Sequence, residues 1–334
     1  MISIIIPTFN RASSLELAIK SFCLQNFSQE QFEILIIDNG STENTKNVTE
    51  AAVAEFPSNQ IRYFYEPEPG LLSGRHRGVL EAKGEILTFV DDDIEADVNW
   101  LGAIKESFDD PIVQLLGGRN LPKYEVEPPK WLEWFWLTHV YGTYCAYLSL
   151  LDFGNQVREI DANYVWGLNF SIRKSALIEL GGFHPDCIAK HLQHFQGDGE
   201  TGLTQKANQH GYKAVYQPSA LVFHMVSKER MTYEYFEQRC FYQGVCDSYS
   251  DIRRAKGKFK QVNLVDRLKF PLKFLKKIRL KSTSRETERD ALNERFRRAW
   301  QNGYQFHQNA VRQTPELLHW VLRKDYWDYK LPTF

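Results

Sequence analysis

The chain has 334 residues, 43% of them hydrophobic, which is enough for a sizeable core. With 41 basic and 42 acidic residues the net charge is −1, so the whole-chain charge does not favour a nucleic-acid-binding protein. There is no apolar run of about 18 residues to span a membrane, and MISIIIP lacks the basic start of a signal peptide. Five scattered cysteines fit a cytoplasmic protein with reduced thiols.

The first 90 residues alternate between apolar β-rich runs and helix-like stretches. The runs ISIII, FEILIID, IRYFY and EILTFV predict four strands. Leu15, Ile19 and Phe22 have the spacing of one helix face between the first two runs. This alternation predicts a right-handed α/β unit with a parallel sheet, in which ligands bind beyond the carboxyl ends of the strands.

Carboxylates stand at two of those strand ends. Asp38 ends the second strand, and Asp91, Asp92 and Asp93 follow the fourth. Three adjacent carboxylates repel one another, and a divalent cation shared with substrate phosphates would offset that repulsion. In extended backbone Asp91 and Asp93 share one side and Asp92 takes the other. G-x-G-x-x-G after a strand and G-x4-G-K-[ST] are both missing, which disfavours a dinucleotide dehydrogenase and a P-loop protein.

From about residue 117 the alternation weakens. An aromatic-rich region at 124–170 precedes YVWGLNFSIRKSALIELGGF, which predicts a strand and a short helix. GDGETGLTQKANQHGYKAVYQ predicts a helix and a strand, and SALVFHMV predicts another strand. The remainder predicts helices, including the amphipathic stretch RETERDALNERFRRAWQNGYQFHQ.

Five of these segments, in this order and spacing, resemble the family-2 glycosyltransferases. They are SIIIPTFNRASSLELAIKS, ILIIDNGS, GLLSGRHRGVLEAKGEILTFVDDD, GLNFSIRKSALIELGGF and GDGETGLTQKANQHGYKAVYQPSALVFH. The resemblance implies the GT-A fold, an α/β architecture with a Rossmann-like mixed sheet flanked by helices. It implies a catalytic domain at 1–245, with a nucleotide-binding half at 1–117 and an acceptor-binding half at 118–245. A helical, partly basic C-terminal extension would occupy 246–334.

The resemblance also implies roles for single residues in binding the donor and a metal. The expected nucleotide-sugar-binding residues are Pro7, Thr8, Asn10, Asp38, Arg75 in the GLLSGRHRG loop, Asp91, Asp92 and Trp166. The expected ligands of Mn²⁺ or Mg²⁺ are Asp93, Asp91 and His224. Asp38 would accept a hydrogen bond from the base, and Trp166 could stack on the apolar face of a sugar.

The catalytic base is expected at Glu200, found by counting back from Gly211 and Tyr212 to the acidic position of the family motif. The family often has Gly-Glu-Asp there, whereas this chain reads Asp198-Gly199-Glu200. Asp198 therefore stays open as an alternative base, an acceptor-binding carboxylate or a helix cap.

The implied activity is inverting, metal-dependent transfer of a sugar from a nucleotide diphosphate, with UDP as the expected nucleotide. The acceptor would be a hydroxyl of a saccharide or a lipid-linked molecule in glycan, polysaccharide or glycoconjugate synthesis. Two alternatives remain open. A sugar-1-phosphate nucleotidyltransferase would need a glycine-rich N-terminal loop, which PTFNRASS does not provide, and a catalytically silent carbohydrate-binding protein would not need the carboxylates.

Residues 253–281 carry twelve Lys or Arg and one Asp, interleaved with apolar residues. Such a segment suits an anionic membrane surface, although Pro271 would break or kink a helix there. The other reading is a solvated helical face that packs on the catalytic domain. The membrane interpretation predicts a peripheral location on the inner membrane face. The near-zero net charge predicts no nucleic-acid partner.

Overall fold

The structure is a computed structural model that describes residues 1–258 and 284–332. Residues 259–281 of the basic segment fall outside these ranges, so most of the predicted membrane contact lies outside the described residues. Within the two ranges, none of the helices combines the length and apolar character needed to cross a membrane.

The first half of the chain alternates strands with helices, as the sequence predicts. Its elements are β1 (Ile2–Thr8), α1 (Ala12–Cys23), β2 (Phe32–Asp38), α2 (Thr45–Glu55), β3 (Ile61–Tyr65), α3 (Leu71–Glu81), β4 (Ile86–Val90), β5 (Ile94–Ala96) and α4 (Trp100–Phe108). Parallel pairing gives the strand order β3-β2-β1-β4. Every residue of β1, β2 and β4 is buried, which explains why their sequences are continuous apolar runs rather than alternating ones.

The second half makes the sheet mixed. Its elements are β6 (Val113–Tyr124), β7 (Leu137–His139), β8 (Gly142–Cys145), β9 (Leu150–Asp152), β10 (Arg158–Ile160), β11 (Asn169–Arg173), α5 (Lys174–Glu179), α6 (Glu200–Gln209) and β12 (Lys213–Val226). Strand β11 lies antiparallel between β4 and β6. The two strands predicted at KAVYQ and SALVFHMV form one long strand, β12, whose pairing with β6 shifts register around Pro218 because proline cannot donate to the ladder.

Three C-terminal helices complete the described part of the chain: α7 (Tyr233–Arg254), α8 (Ser284–Gln313) and α9 (Pro315–Leu322). Helix α7 continues through the predicted boundary between residues 245 and 246. Tyr249, Trp320 and Tyr326 are buried in the same apolar core as Ile5 of β1 and Leu35 of β2. The C-terminal helices therefore share a core with the sheet, and the division into a domain and an extension stays a prediction.

Helices α7 and α8 approach each other so closely that their backbones touch at two glycines. A Cβ atom on Gly303 of α8 would overlap the carbonyl oxygen of Phe241 in α7. A Cβ atom on Gly244 of α7 would overlap the carbonyl oxygen of Trp300 in α8. A larger residue at either position requires the two helices to separate.

We expect Gly303→Ala to destabilise the protein, because separating the helices costs about 1–3 kcal/mol, more than the roughly 1 kcal/mol gained in helix propensity. Gly102 in α4 is the matched control, since a Cβ atom there meets nothing within 4 Å. Gly102→Ala should keep or raise the free energy of unfolding measured in urea. Equal stability changes in the two variants would contradict the close packing of α7 on α8.

Candidate active site

The predicted donor-binding residues converge at the carboxyl edge of the parallel strands. Thr8 ends β1 opposite Asp38, which ends β2, and Pro7 precedes Thr8 in the same strand. Asn10 has a positive φ of 53°, and its Oδ1 accepts a hydrogen bond of 2.8 Å from the backbone N–H of Thr42. The loops after β1 and β2 are thereby joined into one rim.

Asp38 is buried, and both oxygens of its carboxylate already have partners. Oδ1 accepts the backbone N–H of Ser41 at 2.8 Å, and Oδ2 accepts the hydroxyl of Tyr63 at 2.7 Å. The first contact is the turn geometry usual for aspartate at the end of a strand. These two contacts fix the carboxylate at the rim, and its contact with a nucleotide base stays a prediction.

Asp92 is buried beneath the first loop. Its Oδ2 accepts the hydroxyl of Thr8 at 2.7 Å, and its Oδ1 accepts Nη1 of Arg11 at 3.1 Å. Burial raises the pKa of Asp92 to about 6, although the positive charge of Arg11 works in the opposite direction. Asp92 therefore anchors the loop that carries the predicted donor-binding residues.

Asp93 is paired with two arginines from distant parts of the chain. Its Oδ2 accepts Nη1 of Arg11 at 2.7 Å and also accepts Nη2 of Arg230. Burial alone would raise the pKa of Asp93, but its contacts with His224, Arg230 and Arg11 outweigh burial and hold the pKa below its usual range. Asp93 is thus a carboxylate that stays ionised.

Asp91 differs from its two neighbours because its carboxylate has no hydrogen-bond partner among residues 1–258 and 288–332. It is partly exposed at the end of β4. Burial and the charge of Asp93 both raise the pKa of Asp91. Of the three aspartates, Asp91 is the one with both oxygens available to a ligand.

Of the three residues predicted to hold a divalent cation, Asp93 and His224 lie in contact. Asp93 Oδ1 is buried without a hydrogen-bond partner in the described chain, and it lies 3.4 Å from Nε2 of His224. Nδ1 of His224 donates to the carbonyl of Leu148 at 2.8 Å, and the Nε2 lone pair accepts a hydrogen bond from Nη1 of Arg230 at 2.6 Å. The described residues contain no preformed cluster of three ligating groups. Once Arg230 is displaced from the imidazole, Asp93 Oδ1 and His224 Nε2 fit a cation that takes its other ligands from substrate phosphates and water.

Glu200 begins α6 and is bound to Arg75. Arg75 lies in α3 rather than in the loop predicted from the sequence, is 3% exposed, and donates from Nη1 to Glu200 Oε2 at 3.2 Å. The backbone N–H of Gly167 donates to Glu200 Oε1 at 3.3 Å. Burial works to raise the pKa of Glu200, but the charge of Arg75 and these hydrogen bonds lower it, so the carboxylate is ionised at neutral pH.

Asp198 has a different setting. Its Oδ1 lies 2.6 Å from Nδ1 of His184, and its Oδ2 accepts the hydroxyl of Ser250 at 2.6 Å. It therefore connects the start of α6 to α7, with both oxygens engaged. This geometry supports a positioning role for Asp198 and leaves Glu200 as the preferred base.

The sequence reasoning missed three charged residues of the site. Arg11 and Arg230 bind the aspartates described above, and Asp186 lies beside the Arg75–Glu200 pair. Asp186 Oδ1 accepts the side-chain amide of Gln196 at 2.7 Å, and burial together with Glu200 raises the pKa of Asp186. Arginine next to a predicted diphosphate site was a usable signal for Arg11, which follows Asn10 directly.

Glu200 lines a cavity of about 870 Å³. Trp166 lines the same cavity and is held by a hydrogen bond of 3.0 Å from its Nε1 to the carbonyl of Asn163. Residues of α7 and α8 also line it. A molecule in this cavity has direct access to an ionised carboxylate and to an aromatic face.

The fold that surrounds this site is that of the GT-A glycosyltransferases. A solved structure of the mannosyltransferase PcManGT from Pyrobaculum calidifontis, in complex with GDP-Man and Mn²⁺, superposes with a TM-score of 0.58. The match covers 98% of this chain and 88% of that chain at 16% sequence identity, so it concerns the fold. The predicted mixed sheet with C-terminal helices is confirmed.

The family model "Glycosyl transferase family 2" matches residues 3–181, more than half of the sequence. The chain therefore belongs to glycosyltransferase family 2, as the five segments indicated.

Two curated relatives are similar over different lengths. The glucosyl-dolichyl phosphate glucuronosyltransferase of Haloferax volcanii is 21% identical over 258 residues, which are 75% of this chain and 77% of the relative. The GalNAc(5)-diNAcBac-PP-undecaprenol beta-1,3-glucosyltransferase of Campylobacter jejuni is 32% identical over 124 residues. That second match spans 36% of this chain and 39% of the relative.

We expect a double-mutant cycle on Arg75 and Glu200 to show strong coupling. Arg75→Gln leaves the Glu200 charge without its partner. The double variant Arg75→Gln/Glu200→Gln should therefore lose about 1–3 kcal/mol less free energy of unfolding than the two single variants lose together. The free energy of unfolding in urea measures the coupling. The exposed pair Arg295–Glu234 is the control and should couple by about 0–1 kcal/mol. Equal coupling in both pairs would argue against a buried, interacting ion pair.

Proposed function

We propose that the protein is an inverting, metal-dependent glycosyltransferase that uses a nucleotide-diphosphate sugar, with UDP as the nucleotide. The observation that carries the proposal is the ionised Glu200 in the wall of a cavity, bound to Arg75, which also interacts electrostatically with Asp91 at the end of β4. Asp38, at the end of β2, is the residue proposed to contact the nucleotide base. Because the solved neighbour binds GDP-Man, guanosine donors are the comparison to test.

The cationic groups at the strand ends suit a diphosphate. Arg11 is 45% exposed at its side chain, and Arg230 lies beside it on Asp93. The planar guanidinium group of arginine can donate two parallel hydrogen bonds to phosphate oxygens. Arg11, Arg230 and Arg75 would therefore hold the departing nucleotide diphosphate. Asp93, His224 and Asp91 would hold Mn²⁺ or Mg²⁺. When bound, the cation would supply charge stabilisation to the leaving group.

Glu200 has the protonation state and position that proton removal requires. Its carboxylate would accept the proton of the acceptor hydroxyl as that oxygen forms a bond to the anomeric carbon. The bond from the anomeric carbon to the diphosphate oxygen breaks in the same displacement. A single displacement from the opposite face inverts the anomeric configuration.

A saccharide or lipid-linked hydroxyl is the proposed acceptor. The two curated relatives carry dolichyl phosphate and undecaprenol diphosphate in their names, which supports a lipid-linked saccharide. Membership in family 2 favours sugar transfer over a sugar-1-phosphate nucleotidyltransferase. The ionised Glu200 and the unpartnered Asp93 Oδ1 favour it over a catalytically silent carbohydrate-binding protein.

Glu200→Gln should retain donor binding and lose transfer, because the amide keeps the shape of the side chain but cannot take a proton. We expect at least a hundredfold lower rate of transfer or donor hydrolysis, with donor affinity measured by calorimetry within a few-fold of the wild type. Asp198→Asn is the comparison variant and should lose stability instead. Transfer at the wild-type rate in Glu200→Gln would remove Glu200 as the base.

Metal removal should abolish activity and weaken donor binding. Titrating UDP-sugars and GDP-sugars into the protein with Mn²⁺, and again in excess chelator, should show a large loss of affinity on chelation. Asp93→Asn should respond less to added Mn²⁺ than the wild type, because one anionic ligand is lost. Full activity in excess chelator would contradict a role for the metal.

A further inference from the structure

An arginine on α7 faces the cavity without a counter-ion. The Nε atom of Arg239 is buried and has no hydrogen-bond partner, and no ion pair within 4.0 Å forms on Arg239 in the described part of the chain. Asp186 is the carboxylate that acts on Arg239 electrostatically, yet Asp186 Oδ1 already accepts hydrogen bonds from Gln196 and from the backbone N–H of Cys187. The Arg239 side chain is partly exposed, and its buried Nε without a partner carries a desolvation cost that a hydrogen-bonding ligand would relieve.

The cavity that Arg239 lines is the one whose walls include the proposed base, Glu200. Its walls also include Trp166 and residues of α7 and α8. Among described residues, none of the three aspartates at the end of β4 contributes to these walls. A ligand in the cavity therefore meets the base without occupying the strand ends where the diphosphate is proposed to bind.

The lining has the chemistry that recognises hydroxyl groups. Amide side chains both donate and accept hydrogen bonds, and aromatic faces pack on the C–H face of a sugar ring. Trp166 and Tyr242 supply aromatic rings. The cavity walls contain six glutamines: Gln193, Gln196, Gln205, Gln243, Gln301 and Gln305. Its volume of about 870 Å³ falls in the range of about 300–1,000 Å³ usual for small-molecule sites.

We propose that this cavity binds the acceptor saccharide and that Arg239 pairs with an oxyanion substituent of that acceptor, a phosphate or a carboxylate. The inference rests on the proposed function, since it assigns the substrate class of the same site. Arginine presents a planar fork of donors that matches either oxyanion, and lining amides such as Gln205 and Gln305 serve the neutral hydroxyls. Arg239 is then a specificity residue, and Glu200 remains the base.

Binding of soluble probes tests the pairing. Glucose 1-phosphate, glucuronate and methyl glucoside are titrated by calorimetry into the wild type, Arg239→Gln and Arg239→Lys. We expect at least one charged probe to bind the wild type more tightly than methyl glucoside does. Arg239→Gln should weaken that binding about tenfold or more, because a hydrogen bond to a charged group is lost. Arg239→Lys should recover part of the loss by keeping the charge.

A second arm separates a lipid source of the phosphate from a soluble one. Phosphatidylcholine vesicles with and without polyprenyl phosphate are sedimented with the same variants. Phosphate-dependent binding that falls in Arg239→Gln identifies a lipid phosphate, and loss confined to glucose 1-phosphate identifies a soluble sugar phosphate. Either result supports an oxyanion partner for Arg239.

The matched control is Arg298→Gln, which removes the same charge from a side chain that is 72% exposed and paired with Glu294. It should bind every probe as the wild type does. Equal affinity of charged and neutral probes, no binding of any probe, or unchanged binding in Arg239→Gln would each overturn the inference. The proposed function is judged separately: a wild type that neither binds nor hydrolyses any nucleotide sugar fails that proposal, whatever the probes show.

Discussion

Buried negative charge at the end of β4 is the constraint on which the site depends. Asp92 and Asp93 are nearly inaccessible to water, and carboxylates in that position must be paired or lose their charge. Arg11 comes from the first loop and Arg230 from the segment after β12, so the pairing joins the two halves of the sheet. The backbone N–H of Met225 also donates to the carbonyl of Asp93 at 2.9 Å, which sets the neighbouring His224 in register with the aspartates.

The sequence predicted best those features that depend on residues close together along the chain. Continuous apolar runs ending at Thr8, Asp38 and Asp91 predict buried parallel strands, and parallel strands necessarily bring their carboxyl ends to one edge. Arg230 could not be found in this way, because its partner is set by how β12 folds back on β5 and β6. The GLLSGRHRG segment was predicted to be a loop, whereas its residues from Leu71 onward form α3, in which Gly74 packs against Pro7.

The C-terminal helices show a second limit of local reasoning. The amphipathic pattern of α8 correctly marks Leu292, Phe296 and Ala299 as buried residues. The pattern does not reveal that the covering surface includes α7, nor that backbone contact at Gly244 and Gly303 brings the two helices together. Since helix pairing depends on side chains far apart in the sequence, the cavity between Glu200 and these helices was also beyond prediction.

The contact of His76 with the C-terminal tail has a consequence for how the protein is made. His76 follows Arg75 in α3, lies 3.1 Å from the carbonyl of Tyr326 through Nδ1 and stacks on Trp327. These partners are separated by 250 residues of sequence, and such distant contacts form late because the entropy of loop closure must be overcome first. During synthesis, the packing around α3 is therefore completed only after Tyr326 and Trp327 have been made. A nascent chain whose sheet has already formed still lacks these contacts next to Arg75.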